Sequence, residues 1–235
     1  MPPFIQALDN AALNWISTSA YSNEYSQLAS YLVYNEAVKF LPLVLVICWY
    51  WFKKTSKQQH NRQILVETVL CSLSAIFIGR VLALTLPFRE RPYLNHELNV
   101  STIDNHLLRT WSSFPSDHAV LSFALAASLF RISPSVGILA FLHASIIICL
   151  PRAALGLHYP SDIVGGSIIG IIIIAMFSQI KARERLVTAA LSIEHKYAEF
   201  FYIAGFIIFY EIIEMFNSIR GLVNKVFTLL RYISY

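Results

Sequence analysis

Between two long apolar runs the chain places Pro151-Arg152-Ala153-Ala154-Leu155-Gly156-Leu157-His158-Tyr159-Pro160-Ser161-Asp162. A cation, an imidazole and a carboxylate thus share one short stretch. Pro160 suits the first position of a helix, where its missing N–H costs nothing. Asp162 then becomes an early helical residue four after His158, and its carboxylate can reach back to fix the imidazole's tautomer. Two further polar clusters precede it: Arg89 and Arg91 before Pro92, and Pro115-Ser116-Asp117-His118. Taken together these supply the parts of a phosphate site. Arginine forks bind phosphoryl oxygens bidentately, and a helix opening at Ser116 offers unpaired N–H groups and a positive dipole end. One neutral, oriented histidine can attack phosphorus, while a second, protonated, gives its proton to the leaving oxygen. Such chemistry calls for no metal and no cofactor. The stretch 151–162 alone would equally serve an interfacial cluster that pins a helix end.

The elements that must hold these clusters are apolar helices. Of 235 residues, 56% are hydrophobic and 14% charged. Several runs approach the ~20 residues that cross a bilayer, and lipid requires each to be helical. The expectation is an all-α, single-domain membrane bundle with six transmembrane helices over 35–216: about 38–52, 64–86, 116–130, 136–150, 163–180 and 197–216. Before it, residues 1–34 read as interfacial amphipathic helices, with Phe4, Ile5, Leu8, Ala12, Trp15 and Ile16 at helical spacing. Residues 217–235 read as an amphipathic tail. Gly165, Gly166 and Gly170 in the fifth span permit close helix packing. Cys48, Cys71 and Cys149 lie in apolar runs without metal-ligand spacing. The net charge of +4 sits at segment ends, which fits membrane topology and excludes a nucleic-acid surface as its reason.

Six spans would bring the clusters 88–92, 115–118, Arg152 and 158–162 to one side. Lys53, Lys54, Lys57, Arg62, Arg131, Lys181, Arg183, Arg185 and Lys196 fall on the other, which the positive-inside rule makes cytoplasmic. Arg220, Lys225 and Arg231 run against this rule. The outer clusters then face outward across a plasma membrane, the inner membrane of a bacterium.

In its three motifs the sequence resembles the type 2 phosphatidic acid phosphatase superfamily, membrane acid phosphatases related to vanadium haloperoxidases. The first, KxxxxxxRP, is Leu84 to Pro92; the second, PSGH, is Pro115 to His118; the third, SRxxxxxHxxxD, is Pro151 to Asp162. Leu84, Asp117 and Pro151 replace the usual lysine, glycine and serine. Phe114 to His118 with Gly156 to Pro160 looks most like the bacitracin-resistance-type undecaprenyl pyrophosphate phosphatases. The resemblance implies His158 as the nucleophile of a phosphohistidine mechanism, Asp162 as its orienting partner and His118 as general acid. It further implies Arg91, Arg152 and Ser116 as phosphate ligands, with backbone amides near Asp117. Its substrates are lipid phosphates embedded among membrane lipids. With Leu84 in the lysine's place, Arg89 is the expected cation for a second phosphate.

Other residues favour plainer roles. Arg80 would lie below the interface, paired or snorkelling. Asp117 suits a helix start by charge alone. Trp111 and Tyr159 read as interfacial anchors, His143 as a hydrogen-bonded intramembrane residue, and His60 and His195 as cytoplasmic; His96 and His106 belong to the long loop 88–114. A transporter whose intramembrane charges line a path is the competing class, and it would place ionisable residues near the midplane.

Overall fold

Apolar runs bounded by proline, polar turns and charge fold as the helices their composition dictates. The computed structural model describes residues 2–20, 23–95, 98, 111–219, 221 and 225. His96, His106, Arg220, Arg231 and most of the expected tail lie outside the described residues. The helices are α1 (Pro3–Ala20), α2 (Asn23–Tyr34), α3 (Glu36–Phe52), α4 (Gln58–Thr85), α5 (Asp117–Ile132), α6 (Pro134–His143), α7 (Leu150–Ala154), α8 (Pro160–Phe177), α9 (Ala182–Lys196) and α10 (Ala198–Ile213). Asn35 caps α3 by accepting from the Val38 amide at 3.2 Å. Pro87 follows the end of α4, and Pro134 and Pro160 open α6 and α8.

Three helical stretches, Gln58–Thr85, Pro134–Ala154 and Pro160–Phe177, are long and apolar enough to cross a membrane, and the chain is an integral-membrane protein. A fourth candidate is the pair Glu24–Tyr34 and Glu36–Phe52, bent by 59°. The expectation of six spans also counted α5 and α10. Each has 16 residues, about 24 Å of helix against a hydrocarbon core of ~30 Å. The tyrosine-rich segment expected at the interface is α2, which continues towards α3 as one half of that bent pair. The region 181–196, between the expected fifth and sixth spans, is the helix α9, which buries Val187 and packs on α4 and α10. Its periodic Leu186, Val187, Ala190 and Leu191 were the available signal.

α5 lies at the centre, against α4, α6 and α8. Ala119, Val120, Leu121, Ala124, Leu125 and Leu129 are buried on it. The α5–α8 contact is close because α8 has no side chain where the backbones meet. A Cβ on Gly170 would stand 2.2 Å from the Val120 carbonyl oxygen, and one on Gly166 would stand 2.7 Å from that of Ser116. Gly170→Val should therefore force the helices apart and lower both Tm and turnover. Unchanged thermal unfolding of the purified variant would show that the contact is slack.

The opposite end of the bundle is closed by charge. Glu67, buried on α4, accepts from Arg131 at 2.8 Å and from Arg183 at 2.6 Å, joining α4, α5 and α9.

Candidate active site

The widened π-helical turn Ala144–Cys149 precedes Pro151, which has no N–H to give and crowds the preceding turn. The chain passes through α7, which carries Arg152, and reverses at Gly156. There φ is 65°, in the left-handed region that glycine enters without steric cost. The reversal lets the Leu157 amide donate to the Arg152 carbonyl at 2.9 Å, and the Tyr93 amide donate to Gly156 O at 3.0 Å. His158 and the Arg91 segment are thereby fixed to one turn.

His158 is buried, and its Nδ1 lies 2.8 Å from the Ser113 carbonyl oxygen. A carbonyl can only accept, so Nδ1 carries the proton and Nε2 keeps its lone pair. Nε2 faces Arg91 Nη1 at 3.4 Å, and that same nitrogen donates to Leu157 O at 2.7 Å. Burial, then the Arg91 and Arg152 charges, hold the imidazole well below its ordinary pKa. It is a neutral imidazole in a cationic pocket. Asp162 Oδ2 is 3.9 Å from Nδ1, beyond hydrogen-bond reach. The Ser113 carbonyl, which no motif marks, makes the direct bond in place of the expected carboxylate. Asp162 is fully buried and accepts from the Tyr159 amide at 2.8 Å and from Arg89 Nη1.

Ser116 opens α5, and its amide donates to the Asp162 carbonyl at 3.2 Å, locking the starts of α5 and α8 together. Around His158 lie several buried polar atoms without a hydrogen-bond partner among the described residues: Arg152 Nε and Nη1, Arg91 Nε and Ser116 Oγ. Burial lowers the Arg91 pKa, yet a guanidinium remains charged at neutral pH. Unsatisfied buried donors are costly, so two such arginines beside a neutral imidazole form a cradle suited to an oxyanion.

His118, in the first turn of α5, has Nε2 3.6 Å from Glu36 Oε2 on α3, and its ring lies 5.9 Å from that of Phe40. Glu36 also pairs at 2.8 Å with Lys39, a fully buried lysine that donates to Val33 O at 2.6 Å. An acid and a lysine at the start of an apolar run were a signal of this cluster that sequence reading passed over. Asp117 is not simply a residue favoured by the helix dipole: its Oδ2 pairs with Arg80 at 2.7 Å, and Arg80 stacks 4.4 Å over Trp111. Leu84 points outward, 78% exposed, so its position faces away from the cradle. His143 Nε2 lies 2.8 Å from the Lys39 carbonyl, as an intramembrane hydrogen bond requires.

The structure therefore gathers His158, His118, Asp162, Arg91, Arg152, Ser116 and Asp117 at one end of the bundle. Arg89 is a different case. Its Nη1 donates to Asp162 and to Ser161 Oγ, its Nη2 donates to Asp9 Oδ2 at 2.6 Å, and its guanidinium lies 4.0 Å over the Tyr159 ring. Two carboxylates and a hydroxyl engage the fork expected to meet a second phosphate. Tyr159, expected as an interfacial anchor, is the buried platform beneath it. Asp9 was missed altogether, although an acid between Ile5, Leu8, Ala12 and Leu13 sits beside the apolar stripe of α1.

The family model described as the PAP2 superfamily matches residues 64–186, more than half of the chain. The chain is 31% identical over 149 residues to the bacitracin transport permease protein BcrC of Bacillus licheniformis, covering 62% of this chain and 64% of that protein. It is 27% identical over 142 residues to the putative undecaprenyl-diphosphatase YbjG of Escherichia coli (strain K12), covering 59% and 65%. In each case the match spans just under two thirds of the relative's length. Among solved structures, the first transmembrane PAP2 type phosphatidylglycerolphosphate phosphatase from Bacillus subtilis aligns with a TM-score of 0.48 and 21% identity, over 74% of this chain and 84% of that one.

Proposed function

Because the chain belongs to the PAP2 superfamily, we propose that it is an integral-membrane phosphatase that removes a phosphoryl group from a lipid phosphate through a phosphohistidine at His158. One observation carries this reading. The buried donors Arg152 Nε and Nη1, Arg91 Nε and Ser116 Oγ lack partners among the described residues, at the same end of the bundle as a histidine whose unprotonated Nε2 faces Arg91 Nη1 at 3.4 Å. An oxyanion would satisfy those donors, and phosphorus held by its oxygens would lie before Nε2.

In the first step the Nε2 lone pair attacks phosphorus and the bond from phosphorus to the leaving oxygen breaks. Arg91 and Arg152 meet the charge on the equatorial oxygens, and His118 gives its proton to the leaving oxygen. In the second, water attacks the phosphohistidine, His118 takes up the water's proton, and the P–N bond breaks to release phosphate. His158 returns to its neutral state with the proton still on Nδ1, held by Ser113 O. A neutral nucleophile in a cationic pocket supports this order of events.

A polyprenyl pyrophosphate is the favoured substrate. The Phe114 to His118 and Gly156 to Pro160 signatures support it, as does the undecaprenyl-diphosphatase named among the relatives. Phosphatidylglycerol phosphate, phosphatidic acid, lipid A phosphate or transfer to a hydroxyl other than water would use the same chemistry. The basic residues Lys53, Lys54, Lys57, Arg131 and Arg183 gather at the end remote from the site, which favours an extracytoplasmic active site in a bacterial inner membrane. The word permease in one relative's name points to transport. Against that, the lengths of α4, α5 and α8 between the two charged ends carry apolar side chains and small polar ones such as Ser72, Ser122, Ser128 and Ser167, with no line of ionisable residues.

The test is phosphate release by the purified chain, in chelator, from undecaprenyl pyrophosphate, phosphatidylglycerol phosphate and phosphatidic acid. Release is expected from all three, with the highest kcat/KM on the pyrophosphate. A higher value on another lipid reassigns the substrate, and release from none overturns the reading. Arg89→Ala, measured alongside, should lower turnover of mono- and pyrophosphates by the same factor, since Asp162 and Asp9 occupy its fork. Loss confined to the pyrophosphate would restore Arg89 as the contact for a second phosphate.

A further inference from the structure

Asp9 takes no part in the steps above and lies on α1, outside the residues 64–186 that the family model matches. It is nevertheless 3% exposed, and both of its oxygens are engaged at the active-site end. Oδ1 accepts from the Ser161 amide at 2.9 Å; Oδ2 accepts from Ser161 Oγ at 2.6 Å and from Arg89 Nη2 at 2.6 Å. The other nitrogen of the same fork, Arg89 Nη1, donates to Asp162, whose second oxygen is 3.9 Å from His158 Nδ1. A continuous chain of charge-assisted bonds thus runs from α1 through Asp9 and Arg89 to Asp162, whose carboxylate stands beside the His158 ring without a hydrogen bond to it.

The sign of the charge matters. A phosphohistidine formed at Nε2, with the proton retained on Nδ1, carries a positive charge on its ring. Asp162 paired with Arg89 alone would be neutral towards it. With Asp9 included, the three groups carry a net negative charge, buried where screening is weak. Asp9 also fixes Arg89 from the side opposite Asp162, so the fork is held between two carboxylates over the Tyr159 ring and cannot rotate into the cradle.

We infer that Asp9 is a positioning residue for phosphoryl transfer: through Arg89 it holds the Asp162 carboxylate beside His158 and keeps the local charge negative when the phosphohistidine forms. The inference rests on the phosphatase reading. It makes α1 a working part of the site, with Asp9 and Leu13 turned inward and Phe4, Leu8 and Trp15 turned outward. A capping role at the start of α8 accounts for the Ser161 contacts; the bond to Arg89 is the part that capping does not explain.

The test uses the full chain purified in detergent and measures kcat, KM and Tm on a lipid phosphate that the wild type hydrolyses, for Asp9→Asn, Asp9→Glu, Arg89→Gln and the double variant Asp9→Asn/Arg89→Gln. Asp9→Asn should lower kcat by about tenfold or more, the scale set by small displacements of a reacting group. KM should stay within about twofold, since the cradle is untouched. Asp9→Glu should recover most of the loss. The double variant should be no slower than Arg89→Gln, because both changes break one chain of contacts. Wild-type kcat in Asp9→Asn, or losses that multiply in the double variant, would overturn the inference while leaving the phosphatase intact. Should Asp9→Asn not fold, Asp9→Glu decides: kcat near wild type supports the inference, and a loss as deep as that of Arg89→Gln overturns it. No turnover by the wild type on any lipid phosphate would defeat the phosphatase reading and this inference with it.

Discussion

Replacing His158 with glutamine abolishes turnover and leaves no phosphorylated protein to trap in acid-free, rapidly quenched samples. Glutamine can still donate to the Ser113 carbonyl but has no nitrogen lone pair to offer phosphorus. His118→Gln behaves differently. It retains the nucleophile, so a phosphorylated species still forms from a substrate whose leaving group needs no proton, and turnover of ordinary esters falls by roughly 10²-fold or more. Measurable wild-type turnover in His158→Gln would remove His158 from the chemistry. The pH dependence follows from the same residue. Burial, then Arg91 and Arg152, depress its folded pKa, so the imidazole stays neutral and nucleophilic below the ordinary value of about 6.5. The acid limb of kcat/KM that belongs to His158 should therefore lie below that value. For stability the sign is fixed by the same shift: as pH falls below about 6.5 the unfolded chain takes up a proton that folded His158 refuses, so stability declines until the folded pKa is reached. His158→Gln should flatten that part of the Tm profile.

Arg152→Gln lowers kcat/KM by on the order of 10³-fold, the upper range for removing one preorganised oxyanion donor, without lowering Tm. The side chain is 8% exposed, and two of its nitrogens find no partner among the described residues. A buried charge without full hydrogen bonding opposes folding, so a neutral residue of similar size should leave Tm unchanged or raise it. Loss of activity with gain of stability separates a group held ready for a substrate from one that holds the fold. Differential scanning of the purified variant together with its kinetics decides the matter; a fall in Tm of several degrees with unaltered kcat/KM would make Arg152 a structural cation.

Much of this was legible in the sequence because it depends on local order. Pro160 must start a helix, so Asp162 follows His158 by one turn whatever the rest of the chain does. The apolar runs had to be helices, and Gly165, Gly166 and Gly170 permitted the close approach that the structure shows at each of them. The three clusters 89–92, 115–118 and 152–162 converge because successive helices alternate direction, which hydropathy alone can count. Helix lengths were less legible: α5 is buried on nearly every side, and composition does not separate a central helix of 16 residues from a full span.

Only the tertiary structure decided who touches whom. Spacing offered Asp162 to His158, but the Ser113 carbonyl, from a loop with no motif, takes the Nδ1 bond. Arg89 and Arg91 stand two apart in sequence and differ completely in role: Arg91 lies against His158 Nε2, and Arg89 is clasped by Asp9 and Asp162. Arg80 and Glu36 found partners on α5, and Lys39 reaches Val33 O on α2. The reason is physical. Residue type and helical period set which chemistry is available and on which face, whereas a hydrogen bond forms over about 3 Å, and distances of that size between segments far apart in the chain are set by packing. Asp9, 152 positions from Ser161, shows the limit: nothing in its own neighbourhood in the sequence ties α1 to His158.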